Sequence, residues 1–401
     1  MKNLETLIQE LCPDGVEFVK LGDVCEISRG KVYSKKYLAE HIGEYPVYSS
    51  QTANDGILGK IGTYDCNGKF LTWTTDGAYA GTVFYRQGKF SVTNVCGLIS
   101  CSNPILSLKF LYFWLTIEAP KHVHQGMGNP KLMSNQMAKI EIPLPPIEVQ
   151  TEIVSILDKF TSLEAELEAE LDCRKRQYEY YRDKLLSFDN VVGQEVEWKK
   201  MSEVLWSINT GLNPRKFFKL NTSDAHNYYV TIKEMKNGKI IYNADTDKIN
   251  DEALLLCNNR SNLEAGDLIF SGTGTIGQIV VIDKTPKDWN IKEGLYALKP
   301  KTEVVLSKYL AYILKETSIR KSYMKKALGG TVKSVPMKVL GALRIPVPSL
   351  SEQERIANIL DRFEYLTTSL QSGLPAEITA RRQQYEHYRD KLLTFKRKGA
   401  A

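Results

Sequence analysis

The chain of 401 residues is poor in the residue types that build reactive centres. It has five histidines, of which His122 and His124 form the one close pair. Two imidazoles fall short of the three or four ligands a metal site uses. His122-Val-His124 therefore reads as a surface turn, and no metal ligand is assigned. The seven cysteines (Cys12, Cys25, Cys66, Cys96, Cys101, Cys173, Cys257) are odd in number and contain no CxxC pair. That argues against a disulfide framework or a zinc ribbon and leads to the expectation of a reducing, cytoplasmic setting. No run approaches the roughly 20 apolar residues that cross a bilayer, so no membrane is expected. The first ten residues, MKNLETLIQE, carry two acids and no apolar stretch, unlike a secretory signal.

Catalytic motifs are also missing. No GxxxxGK[S/T] loop is present to hold a nucleotide. Asp283-Lys284 and Glu293 are too isolated to form the clustered acids that hold magnesium in a nuclease. Asn129-Pro130-Lys131 and Asn213-Pro214-Arg215 lack the Pro-Pro-aromatic continuation with which methyltransferases grip a flipped base. Gly272-Thr-Gly274-Thr-Ile-Gly277 does fit GxGxxG, but phosphate binding needs a helix to start there. The following Gln278-Ile-Val-Val-Ile is β-branched, so the glycines read as a turn between strands. No catalytic residue is assigned.

What is present is a duplication. Ile142–Phe160 (IPLPPIEVQTEIVSILDKF) and Ile345–Phe363 (IPVPSLSEQERIANILDRF) are identical at nine of 19 positions. Gln177–Phe188 and Gln384–Phe395 agree at 10 of 12, with four extra residues in the second copy between the blocks. Val16-Glu17-Phe18 and Val196-Glu197-Trp198 open the halves with a weaker echo. A period of about 200 residues means tandem domains rather than a solenoid.

After each proline-punctuated exit the apolar residues fall at steps of three and four. They run Ile153, Ile156, Phe160, Leu163, Leu167, Leu171, Tyr178, Tyr181, Leu185, Phe188, and again Ile356 to Phe395. This is a coiled-coil stripe, and antiparallel packing of the two arms is expected, with the globular halves at opposite ends. Ser351-Glu-Gln-Glu354 reads as a capping box, and Gly373-Leu374-Pro375 as a break. Elsewhere the period is two. Strands are expected at 70–75, 81–86, 90–95, 228–232, 267–270 and 278–282, with turns at Asp76-Gly77 and Gln87-Gly88. Helices are expected at 105–117 and 307–328. Gly126-Met-Gly128-Asn-Pro130 and Gly329-Gly330 form glycine-rich turns before the arms. The fold class is thus α+β: two pseudo-symmetric strand-rich domains, 1–148 and 191–348, separated by two long helices packed as an antiparallel coiled coil, 149–190 and 349–401.

The net charge of +6 is unevenly spread, with 24 Lys+Arg against 16 Asp+Glu over Val191–Pro348 and 14 against 13 over Met1–Pro145. A basic excess in one region fits a polyanionic partner. Polar, aromatic and basic loop residues suit base edges and phosphates. The candidates are Tyr48, Ser49, Ser50, Gln51, Thr74, Thr75, Asp76 and Arg86 in the first half. In the second they are Arg215, Lys216, Asn258, Asn259, Arg260, the stretch Ser271 to Thr275 (Ser271 and Thr273 foremost), and Lys333.

The whole pattern resembles the specificity (S) subunits of type I restriction-modification systems. The strings that carry the likeness are Ile142-Pro-Leu-Pro-Pro with Gln150, Ile345-Pro-Val-Pro with Ser351-Glu-Gln353, Ile156-Leu-Asp158, Ile359-Leu-Asp361, Tyr180 to Leu186 and Leu263 to Ser271. The resemblance implies a non-catalytic subunit whose two target recognition domains each read one half of a split site in double-stranded DNA. Because the two domains differ, the site would be asymmetric. The helices would set the spacer and dock two modification (M) subunits carrying S-adenosylmethionine. Two restriction (R) subunits with ATP and magnesium would complete the nuclease, and this chain itself would hold no cofactor. The near-identity of the arm ends makes Tyr178, Tyr181, Leu185, Tyr385, Tyr388 and Leu392 the candidate M-docking residues. A methylation-only or type IIB-like assembly is the alternative.

Overall fold

The computed structural model describes residues 4–125, 128–188, 196–368 and 373–399. Gly126 and Met127 of the first glycine-rich turn lie outside them. The chain divides into two compact units, one made of Met1–Glu166 with Ile378–Ala401 and the other of Leu167–Glu377. Each unit therefore joins a strand-rich half to segments of both helical regions.

In the first unit a six-stranded sheet runs in the order Glu26–Arg29, Cys96–Ser100, Cys66–Thr74, Val83–Val92, Ile42–Tyr48, Ile57–Ile61. Its pairs are antiparallel except for Ile42–Tyr48 against Val83–Val92. Gln87-Gly88 is not the turn expected from composition. Gly88 sits inside the strand Val83–Val92, directly opposite Gly68 of the neighbouring strand, and the two expected strands are one. The helix Leu108–Glu118 begins where the Ser107 hydroxyl accepts the Phe110 N–H at 3.4 Å. It packs Phe110, Leu111, Phe113 and Leu115 onto Leu71, Trp73 and Ile99 of the sheet.

In the second unit the four-stranded sheet is ordered Leu205–Thr210, Leu295–Pro300, Leu268–Ser271, Ile279–Val281. A smaller sheet holds Asn227–Val230 between Lys248–Ile249 and Trp289–Ile291. Gly272–Gly277 is the link between two antiparallel strands, as the sequence indicated. The helix expected at 307–328 is two, Ser307–Lys315 and Thr317–Met324. The break is at Glu316, whose backbone is extended and whose carboxylate accepts the N–H groups of Ser318 and Ile319 at 2.9 and 2.8 Å.

The repeated motifs have matching structural duties. Gln150 and Gln353 are fully buried at the first turn of their helices. The Gln150 amide donates to the carbonyls of Ile105 and Pro145 and accepts the Ser107 N–H, each at 2.8 Å. Gln353 does the same for Val304, Pro348 and Leu306 at 2.8–2.9 Å. Asp158 pairs with Lys109 at 2.7 Å, and Asp361 with Lys308 at 2.6 Å. The "Pro, Gln, Ile-Leu-Asp" signature is thus a clamp between the arm and the helix Leu108–Glu118 in the first half or Ser307–Lys315 in the second.

The first arm is one helix, Ile147–Leu186, and the second is described as Leu350–Thr368 and Gly373–Leu392. Gly373 has φ +72°, and Pro375 sits in the first turn that follows, where its missing N–H costs nothing. The second arm is capped earlier than expected. Ser349, not Ser351, accepts the Glu352 N–H, because the helix starts at Leu350 directly behind Pro348. Within the first unit Phe160 stacks on Tyr388 at 5.5 Å and Glu164 binds Arg382 at 2.7 Å. Partners fall in number as their counterparts rise, so the segments are antiparallel. Tyr181 on Phe363 at 6.1 Å is the matching stack in the second unit.

Candidate nucleic-acid interface

The two units carry the same backbone device at the end of a central strand, built from unlike sequences. In the first, the turn after Cys66–Thr74 lies on the loop that precedes the arm. Gly77 N–H donates to the Pro130 carbonyl at 3.1 Å, and Leu132 N–H to the Thr75 carbonyl at 2.9 Å. His124 and Lys131 close the neck of that loop through two mutual bonds of 2.8 and 3.1 Å. In the second, Gly274 N–H donates to Lys333 and Val335 N–H to Gly272, at 2.9 and 2.8 Å, while Leu328 and Ser334 exchange two bonds of 2.7 Å. The turns themselves correspond. The Thr74 hydroxyl donates to the Tyr79 carbonyl and accepts the Thr82 N–H. The Ser271 hydroxyl donates to Thr275 and accepts the Gln278 N–H, at 2.6 and 2.8 Å. Gly77 and Gly274 have φ of +97° and +78°, which explains a glycine at this step of both turns.

Buried aromatic donors fix both devices from below. The Trp73 indole donates to the Leu132 carbonyl at 2.9 Å, and the Tyr296 phenol to the Val335 carbonyl at 2.8 Å. Gly97 leaves room for the Trp73 ring and Gly272 for the Tyr296 ring, since a Cβ on either glycine would come within 2.2 Å of that ring. The rings sit on neighbouring strands in the two units yet reach the equivalent carbonyl.

Most first-half candidates gather here. Ser50 Oγ accepts the N–H groups of Thr75 and Asp76 at 2.8 and 3.3 Å. The Thr93 hydroxyl donates to Ser49 at 3.1 Å, and the Gln51 amide to the Ile57 carbonyl at 2.7 Å. Thr74 and Thr75 are buried, with the Thr75 hydroxyl donating to the Val95 carbonyl at 2.6 Å. Arg86 is a correction to the expectation of a DNA-facing residue: it is in a strand, as expected, but is only 4% exposed. Its guanidinium is held over the Tyr48 ring at 3.8 Å and donates to the Asp55 carboxylate at 2.6 Å, the Asp55 carbonyl at 2.7 Å and Thr72 at 3.2 Å. It thereby fixes Asn54 and Asp55, both left-handed at φ 51°, from inside.

In the second unit Arg215 and Lys216 are exposed on the short helix Pro214–Phe217. The preceding Asn213 donates to Glu293 at 2.8 Å, and Gly294 accepts the Gly272 N–H at 2.9 Å, so this basic turn adjoins the device. Lys333 lies in it. Ser271 is fully buried, while Thr273 bonds Ser334 at 2.9 Å and lines an open cleft of about 290 Å³ with Thr231, Lys233, Glu234, Asp245 and Lys292. Asn258, Asn259 and Arg260 are not on a loop but on the helix Asp251–Ser261. Asn258 accepts from Asn290 at 2.7 Å, and Asn259 and Arg260 point outward. Sequence reasoning missed Tyr79, His124, Lys131 and Lys292. Their signal was present in the glycine turns, but the partner of each turn was not.

The arm-end candidates have internal contacts. Tyr178 and Leu185 pack against the core of the second unit, Tyr385 and Leu392 against that of the first, and Leu186 and Leu393 are in those cores. Burial pushes the Tyr385 phenol up to about 12. Tyr181 and Tyr388 stack on Phe363 and Phe160 and keep 40% and 38% exposure. The arm ends thus also have intramolecular packing duties, and Tyr181 and Tyr388 keep an exposed part.

The family model for the type I restriction modification DNA specificity domain matches this chain twice, over residues 13–172 and 194–380. The chain belongs to this family. A putative type I specificity subunit of Mycoplasma pneumoniae is 32% identical over 376 residues, spanning 94% of this chain and 97% of that one. A type I restriction enzyme specificity subunit of Escherichia coli is 36% identical over 305 residues, 74% of this chain and 73% of that one. The fold is that of solved specificity subunits. A chain from work on complex assembly and conformational transition of the type I system matches with a TM-score of 0.63 at 15% identity, over 94% of this chain and 97% of that one. The S subunit from M. genitalium gives 0.50 at 16%, over 94% and 95%. This specificity subunit is of a kind that is non-catalytic by itself, and among the described residues no helix is long and apolar enough to cross a membrane.

Proposed function

We propose that the two turn-on-loop devices are the DNA-reading heads of this specificity subunit, each set against one half of a split, asymmetric target in double-stranded DNA. The observation that carries the reading is the recurrence of one hydrogen-bonded frame with different exposed side chains. Shared geometry suits a common approach to the duplex, and unlike side chains suit two unlike words. Lys131 beside the first turn, and Lys292, Lys333, Arg215 and Lys216 around the second, are exposed cations suited to phosphates.

Two modification subunits bearing S-adenosylmethionine would dock on the helical regions and methylate adenines. Two restriction subunits with ATP and magnesium would complete the nuclease, and the helical regions would set the unread spacer. Methylome sequencing of cells expressing this chain with its modification subunit tests the reading. A single bipartite motif with two different words and a fixed spacer is expected. Inserting four residues after Leu167, just over one helical turn, is expected to keep both words and lengthen the spacer. Absence of a new motif overturns the assignment.

A further inference from the structure

We infer that Tyr79 in the first unit and Thr275 in the second are base-reading side chains, each deciding part of the word that its own unit recognises. The inference rests on the DNA-recognition reading above and names the residues that make the two words differ.

Both residues occupy the same station of the same frame. Tyr79 offers its carbonyl to the Thr74 hydroxyl, the Thr82 hydroxyl at 2.8 Å and the Thr82 N–H at 3.2 Å. Thr275 offers its carbonyl to the Ser271 hydroxyl at 2.6 Å. Two residues on, Gly81 N–H donates to Thr74 at 2.9 Å, and Gly277 N–H to Ser271 at 3.0 Å. The second turn is one residue shorter, which hides the correspondence in the sequence, but the anchoring is the same. In each turn the backbone is held from within while the side chain at this station is left outside. Tyr79 is 67% exposed and Thr275 is exposed.

An exposed tyrosine on a fixed turn has no packing duty to explain it, and its surroundings are those of a reading position. Neighbouring Asp76 is bridged to Lys131, and Thr273, beside Thr275, to Ser334 next to Lys333. An exposed cation therefore lies close to each station and can sit on the phosphate backbone while the turn enters a groove. The chemistry of the two residues differs in the way a base reader requires. A tyrosine ring offers apolar contact to a thymine methyl together with one hydroxyl, whereas threonine offers a small methyl and a hydroxyl to a base edge. A pre-set backbone also removes the ordering cost that a mobile loop would bear on binding.

The test is selection from a randomised duplex library by the purified complex of this chain with its modification subunit, for wild type, Tyr79→Ala, Tyr79→Phe and Thr275→Ala. The wild-type complex is expected to select two words. Tyr79→Ala is expected to relax one or two adjacent positions of one word by roughly tenfold or more, leaving the other word and the spacer unchanged. Thr275→Ala is expected to do the same to the other word only. Tyr79→Phe, which keeps the ring and the fold, is expected to keep the preferred base with weaker discrimination. If Tyr79→Ala and Tyr79→Phe both select the wild-type words with unaltered preference at every position, the inference is overturned and the DNA reading stands. If the wild-type complex selects no motif, both fall.

Discussion

Trp73 donates its indole N–H to the carbonyl of Leu132, 59 residues along the chain, and so pins the pre-arm loop beneath the turn that presents Asp76 and Tyr79. Trp73→Phe keeps most of the ring in the space over Gly97 but leaves a buried carbonyl unpaired. A loss of about 1–3 kcal/mol is expected, with faster hydrogen exchange at Leu132 and Gly77. Unchanged exchange at those amides would show that the loop is held without the indole.

Gln150→Leu removes three hydrogen bonds from a fully buried site. The Ser107 N–H and the carbonyls of Ile105 and Pro145 lose their side-chain partner, for a destabilisation of about 3 kcal/mol or more. Hydrogen exchange should rise at the start of the helix Leu108–Glu118. Gln353→Leu should do the same at Ser307–Lys315, and each variant should leave the other unit's helix unchanged.

Arg86→Lys tests whether a plain positive charge can replace the planar fork. An ammonium cannot stack on Tyr48 while bonding Thr72 and both oxygen types of Asp55. Limited proteolysis between Ser49 and Gly56 is therefore expected to accelerate several-fold, with stability lower by about 2 kcal/mol. Protection equal to wild type would remove Arg86 as the support of that loop.

Glu352 and Arg355 form a two-point pair at 2.6 and 2.7 Å, and hydrogen bonding to Arg355 holds the Glu352 carboxyl below its usual value. A depressed carboxyl contributes stability that is present above the ordinary glutamate pKa of about 4.3 and is lost as pH falls through the lower folded value. The Arg355 side chain is about half exposed, so the effect is small, about 0.5 kcal/mol. Glu352→Gln is expected to melt below wild type at pH 6–7 and to converge with it near pH 3. A gap that persists in acid would place its cause elsewhere.

Lys131→Ala and Lys333→Ala are each expected to weaken DNA binding by the assembled complex and to lower the slope of log affinity against log salt by about 0.9. The preferred words should not change, because phosphate contacts position rather than specify. A slope equal to wild type in both variants would take these lysines off the backbone.

The duplication, the arms and the clamp motifs were legible because their signals are local or repeated. Prolines, helical spacing and identical strings need no knowledge of distant partners. The positive φ of Gly373 at the start of its helix, with Pro375 in the first turn, is what backbone chemistry alone leads one to expect, whereas the break at Glu316 is not. Nothing in the apolar pattern marks that residue, and only its carboxylate folding back onto Ser318 and Ile319 stops the first helix. Arg86 was misplaced because its partner Asp55 is 31 residues away, and a polar stretch looks the same whether it faces water or a buried fork. The turn carrying Tyr79 was visible as Asp76-Gly77. Its likeness to Ser271–Gly277 was not, since the two share a hydrogen-bond pattern rather than residues and differ in length by one.

The first unit takes residues from both sides of the second, with Leu393 in its core and Arg397 bridged to Val16. During synthesis the order of completion is therefore reversed. The unit formed by Leu167–Glu377 has all its residues once Glu377 emerges, while the first sheet waits, with part of its apolar surface uncovered, until the last turns of the second arm leave the ribosome. At 5–20 residues per second that wait is of the order of ten seconds or more, a period in which chaperone holding would act on the first half and not the second.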